Sequence, residues 1–213
     1  GSHLHWISMH TKMTIDNQIF QKYQVDFNKI EKYGFTKDGD IYCFSKIFFN
    51  DSFRVDIIIN NNGEIKTKVW DLDLKEEFLN LNVESIQGGF IGELRDEYAS
   101  ILQDIAENCC IKKDFIFSQT NRIARYMKEK YNASPFFPWV GDTEDATFRK
   151  ESGSWFALIM AIDKSVLKIG KGKIEVINVK IDPNKLEDYL KINGCYKAYH
   201  MNKVHWMTML LDE

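Results

Sequence analysis

A chain of 213 residues, 44% hydrophobic and 28% charged, has the make-up of a folded protein and is long enough for two domains of about 100 residues each. Fifteen Phe, nine Tyr and five Trp supply bulk for two cores, and no apolar run reaches the roughly 18 residues that a membrane helix needs. The formal charge of −3 excludes a strongly basic protein, but it is unevenly spread: residues 1–110 hold 11 Lys+Arg against 18 Asp+Glu, and residues 111–213 hold 17 against 13.

Gly1-Ser2-His3 reads as the remnant of a cleaved tag, residues 1–12 as vector-derived and Met13 as the natural start, so His3, His5 and His10 are set aside. The first predicted helix covers Asn17 to Lys32, with Phe20, Tyr23, Phe27 and Ile30 at helical spacing, and Gly34 ends it. Strands are predicted at Ile41–Phe49, Phe53–Asn60 and Ile65–Val69, the last two joined by a hairpin at Asn60-Asn61-Asn62-Gly63. Trp70-Asp71-Leu72-Asp73 and Glu76-Glu77 are candidates for partner contact or cation binding, with capping of the next helix the leading reading. Gly88-Gly89 is read as a break before a helix over Glu93–Cys109, whose Leu94, Tyr98, Ile101 and Ile105 share one face.

Ile111-Lys112-Lys113-Asp114 is the predicted boundary, giving domains 13–110 and 111–213. Ser118 caps a helix to Tyr131 with Ile123, Met127 and Tyr131 inward, and an aromatic loop follows between Pro135 and Pro138. Strands are predicted at Phe148–Lys150, Trp155–Ile162 and Ile174–Ile181. Asp182-Pro183 opens a helix to Ile192, and Trp206–Leu211 is the closing strand. The fold class is therefore α+β, with two domains, each of helices packed on a twisted antiparallel sheet. Cys43, Cys109, Cys110 and Cys195 lack C-x-x-C spacing and the start lacks a secretory signal, which points to reduced thiols in a cytoplasmic protein.

Two groups of residues carry candidate chemistry. Lys168, Lys171 and Lys173 crowd the Gly170-containing hairpin, with Arg149 and Lys150 expected on a nearby strand. Such a basic wing suits phosphate contacts through counterion release, and the competing reading is solvated lysines that protect an edge. His200, Asn202, Lys203, His205 and Trp206 form the second group, and three readings compete there. Asn and His tie an irregular loop to the backbone, or the group binds a small molecule or protein, or it holds a metal. The metal reading ranks last, because histidines five apart fit neither helix nor strand spacing and no third ligand stands near. No G-x-S-x-G elbow, Walker loop or dinucleotide fingerprint is present, and no cofactor is implied. Cys195 near the histidines leaves a thiol enzyme as a third-ranked alternative.

Three segments carry a family resemblance in order: Phe136-Phe137-Pro138-Trp139, the strand entry from Phe148 to Ala157, and Tyr199-His200-Met201-Asn202-Lys203-Val204-His205-Trp206. Together, over residues 118–212, they resemble the MmcQ/YjbR family of small bacterial α+β proteins described as DNA-binding. The resemblance implies a frataxin-like second domain, with residues 13–110 similar to the extra domain of Gram-positive members. Family members continue into another helix, so at Glu213 either the sequence is cut short or that helix is absent, and one sheet face is then expected to be uncovered unless a dimer hides it. The leading function is non-enzymatic DNA binding through Arg149, Lys150, Lys168, Lys171 and Lys173, with the acidic first domain modulating it or recruiting a protein partner. The alternative is an interaction module built on the His200–His205 loop.

Overall fold

The computed structural model describes residues 13–82 and 88–211; residues 1–12, which hold the three N-terminal histidines, lie outside them. The chain divides into two compact units, one over Met13–Asp114 and one beginning at Phe115. Both mix helices with antiparallel strands, so the protein is α+β.

In the first unit, α1 (Ile15–Phe20), β1 (Tyr23–Val25) and α2 (Phe27–Tyr33) replace the single helix expected over Asn17–Lys32. Tyr23, Gln24 and Val25 pair with Lys112, Ile111 and Cys110, and this remote ladder overrides the local helical spacing. Asp26 then restarts the helix, its Oδ1 accepting from Asn28 N at 3.0 Å. Strands β2 (Thr36–Asp38), β3 (Ile41–Phe48), β4 (Phe53–Asn60), β5 (Ile65–Asp71) and β6 (Glu76–Glu77) form a meander. On β4, Phe53, Val55, Ile57 and Ile59 alternate inward, the period-2 pattern of a half-buried strand. Helix α3 (Gly89–Cys109) lays Leu94, Tyr98, Ile101, Leu102 and Ile105 on the same core. It starts four residues earlier than expected, so Glu93 lies beyond its first turn. Strand β7 (Cys110–Lys112) completes the unit, so residues 111–114 belong to the first unit and do not link it to the second.

The second unit holds α4 (Ser118–Tyr131), β8 (Ala146–Arg149), β9 (Trp155–Asp163), β10 (Lys173–Lys180), α5 (Leu186–Leu190), β11 (Cys195–Lys197) and β12 (Trp206–Leu211). The sheet order is β11-β12-β10-β9-β8, unlike the meander of the first unit. Ala157, Ile159 and Ile177 face α4, packed with Phe115, Ala124, Met127 and Phe148. Leu158, Met160, Ile162, Ile174 and Val176 face the other way under Trp139, Val166, Leu167, Tyr199, Met201 and Leu210. Side chains of the connecting loops thus pack over the sheet face that was expected to lie uncovered. Tyr131, expected inward on α4, is 56% exposed, while Thr120, Ala124 and Met127 form the buried face.

Candidate functional site

The β9–β10 connection builds the basic loop. Asp163 closes it, Oδ1 accepting from Ser165 N at 2.9 Å and Oδ2 from Gly172 N at 3.2 Å. A 3₁₀ turn over Lys164–Leu167 follows, and Lys168 takes a left-handed conformation at φ 60°. Gly170 and Gly172 lie at φ 132° and 108°, a region open to glycine and costly for other residues. Lys168 and Lys171 end up exposed on this loop.

The other three cations of the proposed wing lie apart from these two. Lys173 is ion-paired to Glu144, and both side chains are only about one-fifth exposed (19% and 20%). The acidic loop that supplies Glu144 is held by Asp142, whose Oδ1 accepts from Glu144 N and Asp145 N. This negative segment stands beside the hairpin and occupies a cation expected to meet phosphate. Arg149 pairs with Trp155 at the start of β9, whereas the basic loop follows Asp163 at its end. Arg149 and Lys150 therefore lie roughly 26 Å from the loop, at about 3.3 Å per strand residue. The expected nearby strand is the right strand, but these cations sit at its far end.

The Tyr199–His205 segment joins β11 to β12 and is anchored from below. Asn178 and Thr208 are fully buried cross-strand partners. Thr208 Oγ1 donates to Asn178 Oδ1 and accepts from Tyr199 N at 2.9 Å, and Asn178 Nδ2 donates to Tyr199 O at 2.7 Å. Asn202 turns the chain, its Oδ1 accepting from Val204 N at 2.8 Å and His205 N at 3.2 Å. Trp206 is 7% exposed, with the Lys180 ammonium 5.5 Å from its ring centroid. His205 O accepts from Ile181 N, and the ring of His200, at φ 58°, lies tilted against that of Tyr199 with centroids 3.9 Å apart. Asn202 and Trp206 thus serve the loop itself, while His200, Lys203 and His205 are exposed. Among the described residues, no group of three His, Cys, Asp or Glu is placed to hold a metal.

Two buried carboxyl groups were not singled out from the sequence as buried. Glu175, 1% exposed on β10, accepts from Phe117 N at 2.7 Å and Ile116 N at 3.2 Å, fixing the entry to α4. Asp145, 8% exposed, accepts from Ala161 N at 3.2 Å, beyond the point where β8 stops pairing with β9. Burial, then the Asp142 carboxylate, pushes the Asp145 carboxyl up to about 8. Burial likewise raises the Cys195 thiol, the reverse of what an activated nucleophile requires.

Comparison with known proteins places the chain. It is 36% identical over 94 residues to the uncharacterized protein YyaQ of Bacillus subtilis (strain 168), a match that covers 42% of this chain and 78% of the relative. The chain belongs to the YyaQ family. A Pseudomonas syringae protein solved by crystallography is 37% identical, covering 42% of this chain and 79% of that one at a TM-score of 0.41. A solution NMR structure from Pseudomonas syringae is 35% identical over 43% and 75% of the two chains, at a TM-score of 0.40. No protein-family model matches. The YyaQ relationship covers less than half of the chain, and no helix among the described residues is long and apolar enough to cross a membrane.

Beyond the segments that carry the resemblance, the first unit holds a cleft of about 640 Å³ whose lining includes Phe49, Phe53, Phe90, Asp71, Asp73 and Glu93. Asp71 serves its own turn there, Oδ1 accepting from Asp73 N and Leu74 N, both at 3.0 Å. In the second unit, sequence reasoning missed a set of cation–ring pairs at the α4 and β8 end. The Lys130 ammonium lies 5.3 Å from the Tyr126 ring and 5.5 Å from that of Tyr131, and the Arg149 guanidinium lies 4.1 Å from that of Phe136. The four-residue spacing of Arg122, Tyr126 and Lys130 was the available signal.

Proposed function

We propose that the chain is a non-enzymatic, cytoplasmic nucleic-acid-binding protein of the MmcQ/YjbR type, its second unit a frataxin-like domain that meets phosphates through the β9–β10 loop. The observation that supports it best is the pair Lys168 and Lys171, exposed on a glycine-bent loop and in none of the ion pairs among the described residues. Glycine at positions 170 and 172 puts no side chain on either neighbour of Lys171, so a phosphate can approach the backbone closely there. The motif from Tyr199 to Trp206 supports the family assignment, and its Asn202 and Trp206 act in the loop's architecture.

Two phosphate contacts set a modest salt dependence. The slope of log K against log salt for duplex DNA is then about −2, a loss of roughly tenfold between 50 and 200 mM salt. Five contacts would give a slope of about −4.5 and a loss of several hundredfold. Fluorescence anisotropy of labelled duplex DNA across this salt range tests the reading, with Lys168→Ala/Lys171→Ala beside the wild type. The shallow slope, abolished in the double variant, is the expected result. Absence of duplex binding at low salt would overturn it.

A further inference from the structure

We infer that the cleft of the first unit, between the β3–β4 turn and the start of α3, takes a lysine-bearing segment of a partner protein. This goes beyond the phosphate reading and uses residues of the other unit.

Three parts of the chain build the cleft. The β3–β4 turn supplies Phe49, Asn50 and Ser52, with Phe53 opening β4. The end of β5 and the turn after it supply Asp71 and Asp73, and α3 supplies Gly89, Phe90 and Glu93. Phe49, Asn50 and the next residue, Asp51, are left-handed at φ 54°, 53° and 61°, a costly conformation above all for Phe49. Phe49 N holds the turn by donating to Glu97 Oε1 at 3.1 Å, and Ser52 O accepts from Leu72 N at 2.9 Å. The rings of Phe49 and Phe90 meet edge to face with centroids 5.2 Å apart, and Phe53 lies 6.0 Å from the first and 6.1 Å from the second. Phe53 is buried, whereas Phe90 is 53% exposed.

Charge and apolar surface together select the occupant. Asp71, Asp73 and Glu93 bring three carboxylates, in none of the ion pairs among the described residues, and none of the described lining residues is a cation. The start of α3 offsets about half a unit of this charge, so the cleft stays negative. Its half of the chain is acidic too, with 11 Lys+Arg against 18 Asp+Glu over residues 1–110. A lysine side chain answers both features: its stem lies along the phenyl rings while its ammonium meets a carboxylate or a ring face. An inorganic cation would leave the rings in water, and a purely apolar segment would cover carboxylates without pairing them. The volume of about 640 Å³ is that of a pocket for a ligand of several groups, which favours a peptide segment over a single free amine.

The test is fluorescence anisotropy on the full chain with a labelled heptapeptide of alternating lysine and leucine. A glutamate-for-lysine peptide, a serine-for-leucine peptide and free lysine amide serve as comparisons. Phe90→Ala removes the exposed ring, Asp73→Asn/Glu93→Gln removes two charges, and thermal unfolding checks that each variant folds. Asp38→Asn/Asp40→Asn, at the opposite end of β3, removes two exposed charges away from the cleft. The lysine–leucine peptide should bind best, and each cleft variant should weaken it by about tenfold. The Asp38/Asp40 variant should bind it like the wild type, and duplex DNA binding should be the same in all four proteins. Equal binding of the lysine and glutamate peptides, or a loss no greater in the cleft variants than in the Asp38/Asp40 variant, overturns the inference. So does lysine amide binding as tightly as the peptide, which makes a small amine the occupant. Cleft variants that alter only self-association, measured by sedimentation, make a second copy the occupant and overturn it as well. Each of these failures leaves the phosphate reading standing, and loss of that reading leaves the peptide result untouched.

Discussion

Replacing Asp145 by Asn should change how stability depends on pH. The folded chain holds this carboxyl at about 8 and the unfolded chain near 3.8, chiefly because burial disfavours the carboxylate and Asp142 stands beside it. Between those values the native state carries a proton that the unfolded state has lost. Stability therefore falls as pH rises through this window, by up to about 6 kcal/mol in all. Asparagine keeps an oxygen to accept from Ala161 N, and its amide can donate to Asp142 as the protonated acid does. Asp145→Asn should match the wild type at the acid end of the window and exceed it at the alkaline end. Urea unfolding of both proteins across the window measures this directly. Parallel pH profiles for the two proteins would refute the assignment of a neutral, buried Asp145.

Thr208→Val removes a hydroxyl that serves both Asn178 Oδ1 and Tyr199 N inside the sheet. The expected cost is about 2 kcal/mol in urea unfolding, with faster amide exchange at Tyr199. Glu175→Ala leaves Ile116 N and Phe117 N without their acceptor and should cost about 3 kcal/mol, with Glu175→Gln recovering part of it. Lys173→Ala should leave duplex affinity within about twofold of the wild type, since this side chain already serves Glu144 and adds no phosphate contact.

What the sequence revealed follows the range of the interaction involved. The β4–β5 hairpin, the inner face of α3 and the Asp182-Pro183 turn are set by residues within a few positions, and they were legible. Tyr23 was misplaced on a helix because its partner, Lys112, lies far along the chain. The pairing of Lys173 with Glu144, 29 positions away, was equally out of reach of local spacing. The separation of Arg149 from Lys168 was within reach, because a nine-residue strand holds its ends apart. Tyr131 shows the limit of periodicity. It continues the spacing of Met127 yet is the last residue of α4, half-exposed with its ring between Lys130 and Phe156.

The most direct test of the central claim is a heteronuclear NMR titration of the isotope-labelled chain with duplex DNA at low salt. Salt-reversible amide shifts within residues 164–172, absent in Lys168→Ala/Lys171→Ala, are the predicted result. Shifts confined to residues 199–205, or none at all, would contradict it.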